Sequence, residues 1–133
     1  MKKHIIVIIG YAFWLGANHI VWAEDCSKYE KQTDLTRCYA DEYKAVDREL
    51  DRVYASYRSS LDDTHKESLE NVQIAWIKYR DLSCHFQSSS AKGGSAYQMI
   101  INICLADKTR ARIKEIMEMS VCEEGDISCS PRS

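Results

Sequence analysis

Gln73-Ile74-Ala75-Trp76-Ile77-Lys78-Tyr79-Arg80-Asp81-Leu82-Ser83-Cys84-His85-Phe86 is the stretch that decides the fold. Gln73, Trp76, Arg80 and Cys84 recur at steps of three and four, so they share one side of a helix. An ordinary buried stripe needs only the apolar members. Here a glutamine and an arginine travel with a tryptophan and a cysteine. The same segment also carries a seven-residue apolar repeat, Leu69, Val72, Trp76, Tyr79, Ser83 and Phe86, which predicts that this face is turned to the core.

Upstream, Leu35, Tyr39, Tyr43, Val46, Leu50, Val53, Tyr57 and Leu61 alternate at the same steps and predict a first long helix from about Leu35 to Ser60, with Thr33 or Asp34 as its cap. Asp62 and Asp63 break and restart the pattern, so only a short turn joins the two helices and they are expected to be antiparallel neighbours. Downstream, the polar stretch Gln87 to Ser95 is expected to be a flexible loop. It leads to a third helix from about Ala96 to Met119, with Tyr97, Ile101, Cys104, Leu105, Ile113, Ile116 and Met117 buried. Pro131 is the only proline, and after the amino-terminal segment glycines occur only at 93, 94 and 125, so little interrupts helix before residue 90. The fold class predicted is all-α: one disulfide-linked bundle of three main helices, preceded by a short helix or strap near Cys26.

The amino terminus reads as a signal peptide. Met1-Lys2-Lys3 is positive, and Ile5 to Leu15 is apolar but too short to span a membrane. Val21-Trp22-Ala23 places cleavage after Ala23, leaving residues 24–133 as the mature domain in the periplasm or outside the cell. Cys26 follows Glu24 and Asp25, which is not the arrangement of a lipid-anchored cysteine, so no stable membrane anchor is expected after cleavage. All six cysteines, Cys26, Cys38, Cys84, Cys104, Cys122 and Cys129, lie beyond the cut and read as three disulfides. Cys122 pairs naturally with Cys129 across a short Gly-containing loop. Antiparallel packing would bring Cys38 to Cys84 and leave Cys26 for Cys104; the local pairing of Cys26 with Cys38 and Cys84 with Cys104 is the rival, and spacing does not decide between them. A zinc site is disfavoured, since no C-x-x-C occurs and only His65 and His85 remain.

Loss of Lys2 and Lys3 moves the formal charge from −2 to −4, which argues against nucleic acid as a partner. No glycine-rich phosphate loop and no H-E-x-x-H motif occurs, and the serines of 88–90 have only His85 nearby as a base. No enzymatic activity, cofactor or metal is expected. Asp47 and Arg80 fall at comparable heights on the two antiparallel helices, and the pair reads as a structural ion pair with Gln73 and Tyr54 meeting the leftover polar groups. Trp76 reads as core.

Asp47, Leu50 and Tyr54 stand in the order D-x-x-L-x-x-x-Y. Together with Gln73, Trp76, Arg80, Cys84 and Phe86, the Gly93-Gly94-Ser95 turn, Cys104 and the pair Thr109-Arg110, they resemble the lysozyme inhibitor LprI family from about Cys26 to Ile116. That family consists of small exported bacterial helical proteins, some with lipid anchors. The resemblance implies an inhibitor that occupies the cleft of a lysozyme or another secreted cell-wall hydrolase. A cell-envelope interaction or immunity protein neutralising a different secreted toxin is the alternative. Two surfaces are candidates for binding. Ser88, Ser89, Ser90 and Lys92 form a polar loop that would hydrogen-bond to the carboxylates of a glycosidase cleft. Glu123, Glu124 and Asp126 form an acidic loop that would face a basic partner.

Overall fold

The computed structural model describes residues 25–121 together with Asp126, Ile127 and Cys129. A 3-10 turn at Cys26–Lys28 leads into helix α1, Gln32–Ser59. Helix α2 is Asp63–Gln87, a second 3-10 turn spans Ser89–Ala91, and helix α3 is Tyr97–Ser120. Among the described residues there is no strand, and no helix is long and apolar enough to cross a membrane.

Helix α1 begins three residues before the expected start. Its cap position is Lys31, whose carbonyl accepts from the Asp34 and Leu35 N–H groups, and no side chain caps it. Thr33 and Asp34 lie inside the first turn, where the carboxylate of Asp34 favours the positive end of the helix dipole. The start of α2 follows the sequence pattern: the Asp62 carboxylate accepts the His65 N–H at 3.0 Å, and the three residues from Ser60 to Asp62 turn the chain back.

Pairings along the helices give their directions. Gln32 meets Met99, Glu42 pairs with Arg110, and Tyr57 and Met117 line one groove, so α1 and α3 run parallel. Arg58 reaches Glu70, Arg80 reaches both Asp47 and Thr109, and Arg112 reaches Gln73, so α2 runs antiparallel to both. The expectation that α1 and α2 form the close pair needs correction: α1 packs chiefly on α3. Large side chains separate α2 from them, because Trp76 and Arg80 of α2 meet Tyr43 of α1 and Arg112 of α3 in the intervening space.

The apolar core lies toward the α1–α2 turn. Leu50, Val53, Tyr57, Leu61, Leu69 and Ile116 are buried together, with Tyr54, Trp76, Ile113 and Met119 packed around them. On α2 the stripe turned inward is Leu69, Gln73, Trp76, Arg80 and Cys84, whereas Val72, Tyr79 and Phe86 of the expected heptad face solvent. The polar residues win the interior because their partners are there, and they rotate the helix by part of a turn. On α3 the buried positions include Ala106, Thr109 and Arg112, while Met117, expected inside, is exposed.

Two disulfides join Cys26 to Cys38 and Cys84 to Cys104. The cross-helix alternative is thereby excluded. Cys38 sits near the start of α1 and Cys84 near the end of α2, at one end of the bundle, but α3 takes Cys84 first because its own Cys104 stands directly opposite. Cys129 is also disulfide-bonded. Its expected partner, Cys122, lies outside the described residues, as do Glu123 and Glu124 and the proposed signal segment. With so few large apolar side chains buried, the cross-links carry a substantial share of the stability.

Candidate functional site

The polar residues singled out from the sequence converge on one cluster between the three helices. Arg80, 6 % exposed, donates from Nη1 to Asp47 Oδ1 at 2.8 Å and to Thr109 Oγ1 at 3.3 Å, and from Nε to Asp81 Oδ1 at 2.9 Å. Burial alone would lower its pKa, but the hydrogen bonds to Asp81 and Asp47 outweigh this and raise it. Two turns earlier on α2, Gln73 accepts from Arg112 Nε at 3.1 Å, and Arg112 Nη1 donates to Glu115 at 2.8 Å. Trp76 lies beside both guanidinium groups, whose central carbons are 5.3 Å (Arg80) and 5.6 Å (Arg112) from its ring centre. Tyr43 closes the cluster from α1, and burial pushes its phenol pKa up. Leu50 is buried below it, Tyr54 is half-buried, and Arg110 pairs at the edge with Glu42 and Asp107.

This arrangement clamps helices together. Both guanidinium groups already have carboxylate or amide acceptors within the chain, and Thr109 is fully buried. Sequence reasoning located Asp47, Gln73, Trp76, Arg80, Thr109 and Arg110 but missed Arg112, Tyr43, Asp81, Glu42 and Glu115. For Arg112 a signal existed: it lies one turn beyond Thr109 and one turn before Glu115 and Ile116 on the same helix, a position that the apolar pattern had left unassigned.

The candidate binding loop has a defined shape. Ser88 is 1 % exposed; its N–H donates to the Cys84 carbonyl, ending α2, and its own carbonyl accepts from Ala91. It is therefore a structural residue and is withdrawn from the candidate surface. Ser89, Ser90 and Lys92 are exposed. Gly93 has φ +86°, a conformation in which a side chain is strained, and Gly94 N–H closes onto the Ala91 carbonyl at 3.0 Å. The Cys84–Cys104 disulfide and a 3.2 Å contact between His85 Nδ1 and the Tyr97 hydroxyl tie the two sides of the connection. Successive turns carry these exposed side chains across the connection between α2 and α3. Asp126 is exposed. Among the described residues, no group of three His, Cys, Asp or Glu is placed to hold a metal ion.

The family profile described as "Lysozyme inhibitor LprI" matches residues 23–116. The chain belongs to the lysozyme inhibitor LprI family. An uncharacterised protein of Rhizobium meliloti (strain 1021) is 35 % identical over 108 residues, covering 71 % of this chain and 78 % of that one. The crystal structure of a DUF1311 family protein from Pseudomonas putida KT2440 superposes with a TM-score of 0.63 at 20 % identity, covering 71 % of this chain and 97 % of that one, and so shares the fold. The span matched by the LprI family contains the whole arginine–tryptophan cluster and the Ser89–Lys92 projection. It ends before Glu123, Glu124 and Asp126, so the acidic tail is no part of what defines the family.

Proposed function

We propose that this LprI-family chain is an exported inhibitor of a lysozyme-type cell-wall glycosidase, acting by binding and not by catalysis. The observation that carries this reading is the family match over residues 23–116. Its supports are the signal-like amino terminus with cleavage after Ala23 and the disulfides of a protein built for an oxidising compartment, the periplasm or the exterior.

The binding element we favour is the projection that carries Ser89, Ser90 and Lys92. It sits at the end of the bundle on a frame fixed by a disulfide, so little conformational entropy is lost when it enters a cleft. A lysozyme-type cleft presents two carboxyl groups. Two hydroxyls and an ammonium supply hydrogen-bond donors and a positive charge for them. Glu123, Glu124 and Asp126 would act from a separate rim by attracting a cationic enzyme during approach.

The test is direct. Lysis of cell-wall material by several lysozymes is followed with and without the oxidised protein purified after export. Dose-dependent inhibition of at least one is expected. Undiminished lysis at a large molar excess of the protein refutes the reading, and capture of some other secreted toxin would then favour the immunity-protein alternative.

A further inference from the structure

Helix α2 carries, besides the stripe that it turns into the bundle, a second row of apolar side chains that the bundle does not cover. About a third of a turn round from the buried stripe, Val72, Ala75, Tyr79, Leu82 and Phe86 succeed one another at steps of three, four, three and four along the exposed side. Val72 is 52 % exposed, Tyr79 61 %, Leu82 62 % and Phe86 79 %; Ile74 and Ile77 are also exposed but lie well round the helix from this row. A helix with two apolar faces is ordinarily covered on both.

We propose that this outer seam is a self-association surface on which a second copy of the chain packs its own α2 in antiparallel orientation. The spacing is symmetric about Tyr79 to within one residue. A two-fold axis at that residue sets Val72 against Phe86 of the other copy, Ala75 against the step between Leu82 and Ser83, and Tyr79 against itself. Small residues thus meet large ones, as interdigitating helices require, and the contact is isologous and closes as a dimer. A parallel pair would instead place Phe86 on Phe86 and Ala75 on Ala75, crowding one end and leaving a gap nearer the other.

The size fits as well. Buried completely, the open fractions of these side chains would supply at most roughly 500 Å² per copy, or about 1,000 Å² for the pair, the lower limit for a specific interface. Charge adds direction. The amino-terminal half of α2 presents Asp63, Glu67 and Glu70 with only Lys66 against them, whereas the other half and the turn just beyond it present Lys78 and Lys92 with only Asp81 against them. Antiparallel alignment brings unlike ends together, and parallel alignment stacks like on like. The seam lies outside the arginine–tryptophan cluster and does not include the Ser89–Lys92 projection, so the inference stands apart from the identity of any target.

Sedimentation equilibrium of the oxidised, exported protein, from micromolar to several hundred micromolar, should show a reversible monomer–dimer equilibrium. Leu82→Glu places a charge inside the seam and should weaken association about 100-fold or more. Leu82 is largely exposed in the single copy, so its melting curve and helical circular dichroism should stay those of wild type. A second readout is covalent: Tyr79→Cys should give a disulfide-linked dimer under mild oxidation, and Asp51→Cys, on exposed α1, should not. Wild-type protein that stays monomeric throughout overturns the proposal, as does a dimer indifferent to Leu82→Glu or a Tyr79→Cys variant that does not cross-link. If wild type is monomeric and Leu82→Glu abolishes lysozyme inhibition, the seam belongs to the target instead, and the self-association proposal falls.

Discussion

Replacing Arg80 with Met tests whether the cluster between the helices clamps the fold or binds a partner. The methionine keeps much of the contact with Trp76 but removes the donors that serve Asp47, Thr109 and Asp81. Breaking a fully buried ion pair by removing one member costs about 3–5 kcal/mol. Here the Asp47 and Asp81 side chains are 41 % and 47 % exposed, so water takes up part of each freed charge. The Thr109 hydroxyl, fully buried, loses its donor as well. A loss of about 2–3 kcal/mol is expected, and in a domain of this size that lowers the melting temperature by roughly 10 °C. Asp47→Asn should cost only about 1 kcal/mol, because it weakens one charge-assisted hydrogen bond and leaves the guanidinium its other acceptors. The double variant Asp47→Leu with Arg80→Met should be more stable than the sum of its parts by about 1 kcal/mol, a partial rescue, since Asp81 and Thr109 remain unserved. The measurement is thermal and urea unfolding of the four proteins, alongside the lysis assay. An Arg80→Met protein that melts within about 2 °C of wild type while losing inhibition would refute the structural assignment and make Arg80 a contact residue.

Further outcomes follow from other parts of the chain. Oxidised exported protein should titrate no free thiol, and the pair Cys84→Ala with Cys104→Ala, opening a loop of 20 residues, should cost about 3 kcal/mol in urea unfolding. The Asp62 carboxylate, which accepts the His65 N–H, has its pKa lowered on folding, so its contribution is present above the unfolded-state pKa and is lost as pH falls through the lower folded value. Asp62→Ala should therefore melt below wild type at neutral pH, with the difference shrinking in acid. Gly93→Ala should destabilise by about 1 kcal/mol from backbone strain alone, because a Cβ there meets open space. In surface-binding kinetics on immobilised lysozyme, replacing Ser89, Ser90 and Lys92 with alanine should mainly speed dissociation, whereas neutralising Glu123, Glu124 and Asp126 should mainly slow association and flatten its salt dependence. A loop variant that binds like wild type would move the site elsewhere.

Much of this architecture is legible in the chain because helix period and breakers are local properties. The steps from Leu50 to Leu61 and the restart at Asp62 mark α1, its end and the capped start of α2 without tertiary knowledge. The facing of α2 is not local. Two stripes compete there, and hydropathy favours the one with Val72, Tyr79 and Phe86. Gln73 and Arg80 go inside only because Arg112, Asp47 and Thr109 wait for them on other helices, which no window around α2 reveals. The disulfides follow the same logic. Cys84 lies near an end that both α1 and α3 approach, and only the actual packing selects Cys104. Ser88 shows the converse: it reads as loop by composition, but its backbone terminates α2 and its side chain is buried under the turn.

The buried arginines also bear on what the outer surface can do. Polar groups in a core seldom increase stability over well-packed apolar ones, yet they penalise every arrangement that leaves them unpaired. In α2 that penalty decides an orientation which hydrophobicity alone would not choose. If Gln73 and Arg80 were leucines, burying either stripe would be comparably favourable, and the helix could rotate to hide Tyr79 and Phe86. Because the arginine must reach Asp47 and Thr109 while Gln73 meets Arg112, the apolar seam is held outward. The cluster therefore fixes which side chains the bundle leaves on its outer surface. Variants that weaken it should first lose the definition of that outer face, and with it self-association, at denaturant concentrations where the helical signal is still intact.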